Sequence, residues 1–359
     1  MKQNSLYIIA EAGVNHNGNS ELAFQLVDVA VDAGADAVKF QTFKAENLVT
    51  KKAKKATYQM KTTAAEESQY EMLKKLELSK DLHTKLYNYC KSKKIEFLST
   101  AFDFESLDFL KNELKLKKFK ISSGEITNGP LLFEFSRTDG QLILSTGMAT
   151  IGEIEDALAV IAYGLTGGVN PSITNFKKAY LSDKGQQALR QTVTLLHCTS
   201  EYPAPFDEIN LRAINTLFEK FHLPVGYSDH TKGITVPIAA AALGACIIEK
   251  HFTLDKNLVG PDHSSSLNPD ELKSMVSEIR NIEKALGNGI KSPTPSELRN
   301  KNVVRKSLIA KEMIKKKQQF TSDNITILRP GDGLSPMLYW EYLKKTASVD
   351  IKSGELIRV

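Results

Sequence analysis

Tyr7-Ile-Ile-Ala10, then Ser20 through Ala33, then Ala37-Val-Lys-Phe40 read as strand, helix, strand. In the middle segment Leu22, Ala23, Leu26, Val27 and Ala30 recur at helical spacing. Ser20 is its expected N-cap, and Gly34 its expected stop. Six further β-rich runs follow: Ile95-Glu-Phe-Leu98, Phe119-Lys-Ile121, Leu142-Ile-Leu144, Val193-Thr-Leu-Leu196, Pro224-Val-Gly-Tyr227 and Cys246-Ile-Ile-Glu249. Eight strands alternating with helices over about 250 residues predict an α/β chain folded as a (β/α)8 TIM barrel. An open doubly wound sheet would want a glycine-rich phosphate turn after its first strand, and Glu11-Ala-Gly-Val-Asn-His-Asn-Gly18 is not GxGxxG. Two connections are long. Lys44 to Ser79 is polar with helical patches and is placed to cover the barrel mouth. Gly164 to Gln191 reads as an inserted surface excursion.

The 359 residues are 42% hydrophobic and 25% charged, which excludes a disordered, collagenous or coiled-coil protein. No run of about 18 apolar residues exists to span a membrane. The N-terminal stretch from Met1 lacks the apolar core and cleavage site of a signal peptide. Three widely spaced cysteines, Cys90, Cys198 and Cys246, suit neither a disulfide framework nor a cysteine zinc site, so a reducing cytoplasm is expected. The net charge of +5 is mild. Eight Lys or Arg fall between Arg299 and Lys317, but apolar residues interrupt them and no aromatic interleaving points to nucleic acid.

Function in such a barrel collects at the C-terminal ends of the strands. Every strand here is followed by polar residues: Glu11; Lys39 and Gln41; Thr100; Lys120, Ser123 and Glu125; Ser145; Ser200 and Tyr202; Ser228 and His230; Glu249 and His251. A strand-end hydroxyl is often only a turn former, as in Ser123-Gly124 or Thr146-Gly147. The whole ring is harder to explain that way. His230 and His251 follow neighbouring strands and can point into one mouth. Two imidazoles are too few for a closed zinc site but suit a divalent ion with open positions; a catalytic or core role for the pair is the other reading. His83 and His222 read as surface residues. Lys39 and Lys120, with Ser123, Ser145 and Ser228, suit a phosphate or carboxylate. Salt bridges to Glu11 or Glu125 across the barrel are the structural alternative.

Several blocks together resemble one family. Ile9-Ala-Glu-Ala-Gly-Val-Asn-His-Asn-Gly18, Gly34-Ala-Asp-Ala-Val-Lys-Phe-Gln-Thr42, Phe119-Lys-Ile-Ser-Ser-Gly-Glu125, Leu144-Ser-Thr-Gly-Met148, Leu196-His-Cys-Thr-Ser-Glu-Tyr-Pro-Ala-Pro205, Gly226-Tyr-Ser-Asp-His-Thr231, Ile248-Glu-Lys-His-Phe-Thr253 and Gly260-Pro-Asp262 look like the sialic acid (nonulosonate) synthases, in the right order. The tail, through Arg329-Pro-Gly-Asp-Gly333, resembles the small antifreeze-like (SAF) domain that ends these enzymes. The resemblance divides the chain into a barrel domain over 1–286, a linker over 287–297 and the SAF domain over 298–359.

It also implies a reaction. Phosphoenolpyruvate condenses with the open-chain aldehyde of a 2-acetamido sugar, usually N-acetylmannosamine, giving a nine-carbon 3-deoxy-2-keto acid and phosphate. By motif position His230 and His251 would hold Mn2+ or Mg2+. Lys120, Ser123, Ser145 and Ser228 would hold the phosphate. Glu11, Lys39, Gln41, Thr100 and Asp262 would surround the reacting carbons and the sugar, and Glu125 is the expected proton-transfer group. Tyr202 matches the family pattern, and Ser200 falls where some members carry Asn. Arg329 would reach the sugar's N-acetyl group from a partner subunit, in a domain-swapped homodimer.

Other departures from the pattern are Ala101, Ser122, Asp332 and the long excursion. The same motifs occur in legionaminic acid synthases, which take 2,4-diacetamido-2,4,6-trideoxymannose. Two other classes stand as rivals: a Schiff-base aldolase using Lys39, Lys120 or Lys250, and a non-catalytic carbohydrate- or ice-binding protein suggested by the tail.

Overall fold

The computed structural model describes residues 6–63 and 66–358. The start of the chain, read above as lacking a signal peptide, lies outside them as far as Ser5. Two compact units divide at Gly287 and Asn288.

In the first unit eight parallel strands close into a barrel: β1 (Tyr7–Gly13), β2 (Ala37–Thr42), β3 (Glu96–Ala101), β4 (Lys118–Ile121), β5 (Gln141–Ser145), β6 (Val193–Cys198), β7 (Val225–Asp229) and β8 (Ile247–His251). β1 closes the ring by pairing with both β2 and β8, with Glu11 opposite Lys39 on one side and His251 on the other. Alternate residues of each strand face inward. At the N-terminal end Lys118 bonds Glu96 at 2.8 Å and lies over the Tyr7 ring, and Tyr7 donates to Glu96. Above that, Ile9, Ala37, Leu98, Ile143, Leu196 and Ile247 fill the middle of the barrel. This apolar middle separates the N-terminal polar cluster from the polar side chains at the C-terminal end. The outward-facing residues pack against the helical ring in one large core.

Helix α1 (Ser20–Ala33) shows the local logic, with one correction. Its cap is Asn19, not Ser20: the Asn19 side chain accepts from the backbone N–H groups of Glu21 and Leu22. At the other end Gly34 takes φ 78° and donates to Ala30 and Val31 carbonyls, a left-handed turn that suits glycine.

Between β2 and β3 lie α2 (Ala45–Leu48), α3 (Thr57–Thr62), α4 (Gln69–Leu76) and α5 (Lys80–Lys93). Val14, Phe43, Met72 and Leu76 form a small core of their own there. A second correction concerns His83 on α5. It is buried, not superficial, with Nδ1 on the Ser79 carbonyl and Nε2 3.0 Å from the Thr42 hydroxyl.

The excursion contains two helices, Ile173–Leu181 and Asp183–Thr192. Phe176 in the first packs edge-on to the Tyr163 ring of the preceding helix, Ile151–Leu165. Among the described residues no helix is long and apolar enough to cross a membrane.

The second unit holds a helix, Pro295–Val304, which begins inside the segment read as a linker. Strands β9 (Ser307–Ala310) and β10 (Ile325–Leu328) pair antiparallel. Leu308, Ile314, Phe320, Ile325, Tyr342 and Ile351 are among its buried core.

Candidate active site

The open end of the barrel holds a cavity of about 420 Å³. Its floor is built from the last inward positions of the strands. Lys39 Nζ lies 2.6 Å from Glu11 and 3.5 Å from Glu249, and donates to the Thr100 hydroxyl at 3.0 Å. Lys120 Nζ lies 3.4 Å from Glu249 and donates to the Ser145 hydroxyl at 2.7 Å. Ser228 donates to Glu249 at 2.7 Å. Two ammoniums and two carboxylates therefore share one buried polar layer, with Glu249 between the two cations.

Their titration differs for a physical reason. Burial pushes Glu11 up to about 7, although Lys39 opposes this. Burial also penalises the Glu249 charge, but Lys120, Lys39 and the Ser228 hydrogen bond outweigh it and hold this carboxyl well below its usual range. Desolvation pulls Lys120 down; for Lys39 the two carboxylates overcome desolvation and raise it. Glu249 is thus the firmly ionised carboxylate, and Glu11 the one able to exchange a proton near neutrality.

The imidazoles stand above this layer, with ring centres 5.6 Å apart. His230 donates from Nδ1 to the Thr199 carbonyl at 2.6 Å, which leaves Nε2 with its lone pair. The Tyr202 ring lies 4.1 Å from that of His230. His251 Nδ1 is buried with no hydrogen-bond partner, 4.0 Å from Asp262. Burial holds His230 down at about 4 and His251 well below its usual value, so both rings are neutral and ligand-competent. Asp262 is pushed up to about 7 by the same desolvation. Among the described residues no group of three or more His, Cys, Asp or Glu could hold a metal. A divalent ion would fit the two imidazoles, the unpartnered His251 nitrogen included, with water and substrate oxygens completing its shell.

Two glycines make this packing possible. Gly13 has φ 53°, and a Cβ there would stand 3.2 Å from both Glu11 Oε1 and His251 Cε1. A Cβ on Gly147 would meet Ser200 Oγ at 2.3 Å, Cys198 Sγ at 2.7 Å and Ser123 Oγ at 2.8 Å. Gly147 instead donates its N–H to Ser123.

Of the residues expected from sequence, Gln41, Ser123, Ser200 and Tyr202 line the cavity with the polar layer and the imidazoles. Glu125 lines it too, half-buried, with one oxygen accepting from Asn128 at 2.7 Å. The salt-bridge alternative holds for Lys39 with Glu11, yet that pair forms part of the cavity itself. Lys250 points away from the barrel interior: it pairs with buried Asp229 at 2.5 Å, so it is no aldolase candidate. Arg329 belongs to the second unit, where its Nε donates to the Val304 carbonyl.

The sequence placed Glu249 in the ring of strand-end polar groups without giving it a role, and pointed neither to Cys198 as a lining residue nor to the apolar lining from Leu48, Val49, Leu73 and Phe102. Its role was within reach, since two residues along a strand from His251 means the same face.

Comparison with known proteins accords with this geometry. Residues 26–291 match the NeuB family. The chain belongs to the NeuB family, the sialic acid synthases. This NeuB-family chain is 54% identical over 351 residues to an N,N'-diacetyllegionaminic acid synthase of Campylobacter jejuni, covering 98% of each. It is 45% identical to a protein of the same name from Legionella pneumophila, covering 97% of this chain and 92% of the relative. A solved N-acetylneuraminic acid (sialic acid) synthetase from Leptospira borgpetersenii superposes with a TM-score of 0.66 at 36% identity, covering 83% of this chain and 90% of that one.

Proposed function

We propose that this enzyme condenses phosphoenolpyruvate with the open-chain aldehyde of 2,4-diacetamido-2,4,6-trideoxymannose and water, yielding N,N'-diacetyllegionaminate and phosphate. The observation that carries the acceptor is the 54% identity, over nearly the full length of both chains, to a relative of that name. N-acetylmannosamine, the acceptor favoured by sequence alone, is the second reading. The likeness to the Leptospira synthetase supports it.

The polar layer suits this chemistry. Lys120 with Ser145, Ser123 and Ser228 offers one ammonium and three hydroxyls to a phosphate, and Lys39 stands beside them for the carboxylate. A divalent ion, Mn2+ or Mg2+, held by His230 and His251 would polarise the aldehyde oxygen. C3 of the enol then attacks the aldehyde carbon, water adds at C2, and phosphate leaves by cleavage of its C–O bond. Glu11, with its raised pKa and its place beside Lys39, supports proton transfer during these steps as well as Glu125 does. Gln41, Thr100, Tyr202 and Asp262 are assigned to positioning the sugar, and Ser200 to the mouth near the phosphate.

We assign the second unit as a SAF domain whose Arg329 contacts the acetamido group in a partner's mouth, making the enzyme a domain-swapped homodimer. The three free cysteines are in keeping with a reducing cytoplasm. The test is phosphate release from phosphoenolpyruvate against a panel of 2-acetamido and 2,4-diacetamido hexoses. Turnover confined to sugar phosphates, or retained in a borohydride-sensitive form after chelation, would overturn the reading.

A further inference from the structure

One wall of the cavity has a different chemistry from its floor. Leu48, Val49 and Leu73 come from the segment between β2 and β3, and Phe102 from the end of β3. All four are half-buried. They are anchored rather than loose: Leu48, Leu73 and Phe102 pack on the small core of Val14, Phe43, Met72 and Leu76. The Phe43 and Phe102 rings meet edge to face, 6.2 Å apart. The N–H of Ala45, opening α2, donates to Glu77 at 2.7 Å, and Lys74 ties Glu46 to Glu77. Gln69 is the polar residue that this segment contributes to the lining.

The position of this wall follows from topology. β3 lies four strands round an eight-stranded ring from β7, so Phe102 stands across the mouth from His230. With the aldehyde end of an acceptor at the imidazoles and the phosphoenolpyruvate on the polar floor, an acceptor lying across the cavity brings its far carbons to that wall.

We infer that Leu48, Val49, Leu73 and Phe102 select the acceptor, favouring a 2-acetamido sugar with a methyl group at C6 and an acetamido group at C4 over one with hydroxyls there. The inference rests on the condensation proposed above and names what decides its acceptor. A hydroxyl pressed on an apolar wall loses its water without gaining a partner, whereas the C6 methyl and the methyl end of the C4 acetamido group gain by burial, with Gln69 in the lining as a partner for the amide. An apolar pocket discriminates against an added hydroxyl only moderately, so the preference should be about 10- to 100-fold in kcat/KM.

The test measures phosphate release by the full-length, metal-loaded enzyme with three acceptors: N-acetylmannosamine, its 6-deoxy analogue, and the 2,4-diacetamido-trideoxy sugar. The wild type should rank them in rising order of kcat/KM. Leu73→Asn should shrink the ratio between the extremes by about tenfold. Val49→Thr, which adds a hydroxyl at nearly constant volume, should shrink it severalfold and serves if Leu73→Asn fails to fold. The KM for phosphoenolpyruvate should stay within about twofold in both, because the floor is untouched. A wild type that uses all three sugars equally, or ratios unmoved in a folded variant, would overturn the inference while leaving the condensation intact. No phosphate release with any of the three would instead bring down the condensation, and the inference with it.

Discussion

Replacing Glu249 by Gln removes the carboxylate that, among the described residues, lies within 4 Å of both Lys39 and Lys120. At 3.5 Å from Lys39 and 3.4 Å from Lys120, each attraction is worth about 5 kcal/mol at an effective dielectric of about 20, before desolvation is subtracted. Breaking a buried pair from one side costs about 3–5 kcal/mol, because the partner charge is left stranded. For a unit of this size that corresponds to a fall in Tm of order 10 °C. Glu11→Gln should behave differently. With its carboxyl already raised to about 7, Glu11 gains little from being charged at neutral pH, so the loss should be about a third as large or less.

The stranded positive charge has a second consequence: E249Q should bind inorganic phosphate more tightly than the wild type. Phosphate at about 100 times its Kd adds about 2.7 kcal/mol. At one fixed phosphate concentration the Tm increment should therefore be larger in E249Q. Differential scanning fluorimetry at pH 7, with and without phosphate, measures all of this. Equal falls in Tm for E249Q and E11Q, or a phosphate increment no greater than in the wild type, would refute the assignment of the charge to Glu249.

Other outcomes follow from the same structure. His230→Ala and His251→Ala should each stay folded, lose Mn2+ binding by calorimetry and lose nearly all turnover; full activity in a chelated, metal-free sample would end the metal assignment. Buried His16 is held down at about 3, chiefly by desolvation, so the unfolded chain binds a proton from about pH 6.5 downward that the fold refuses. Stability should fall with acidification, this residue contributing about 2 kcal/mol by pH 5, and His16→Asn should flatten the slope of unfolding free energy between pH 7 and 5. Arg329→Ala should raise KM for the sugar far more than for phosphoenolpyruvate. Mixed with His251→Ala under subunit exchange, it should regain activity through one intact composite site per hybrid dimer; a mixture that stays inactive after proven exchange shows that Arg329 serves its own barrel.

The sequence by itself determined the barrel and the ring of functional groups at its mouth. Strand periodicity is local, and eight β-rich runs interleaved with helices leave few ways to bury both strand faces. The same period of two fixes which side chains share the interior, so Glu11, Lys39, Thr100, Lys120, Ser145, Ser228 and His251 could be grouped before any coordinates were known. One departure was local and the other depended on a neighbour distant in sequence. Asn19 rather than Ser20 caps α1 because its side chain reaches two backbone N–H groups, a matter of local dihedrals. His83 looked like a surface residue until α5 folded against β2 and buried it beside Thr42.

Only the tertiary structure decided that Glu249, 238 residues beyond Glu11 and next to two lysines from other strands, outcompetes Glu11 for their charge. Likewise, the segment between β2 and β3 is polar as written, yet it turns Leu48, Val49 and Leu73 toward the cavity. Strand pairing aligns residues from distant parts of the chain, and desolvation then sets their protonation. Neither effect is carried by spacing within one segment.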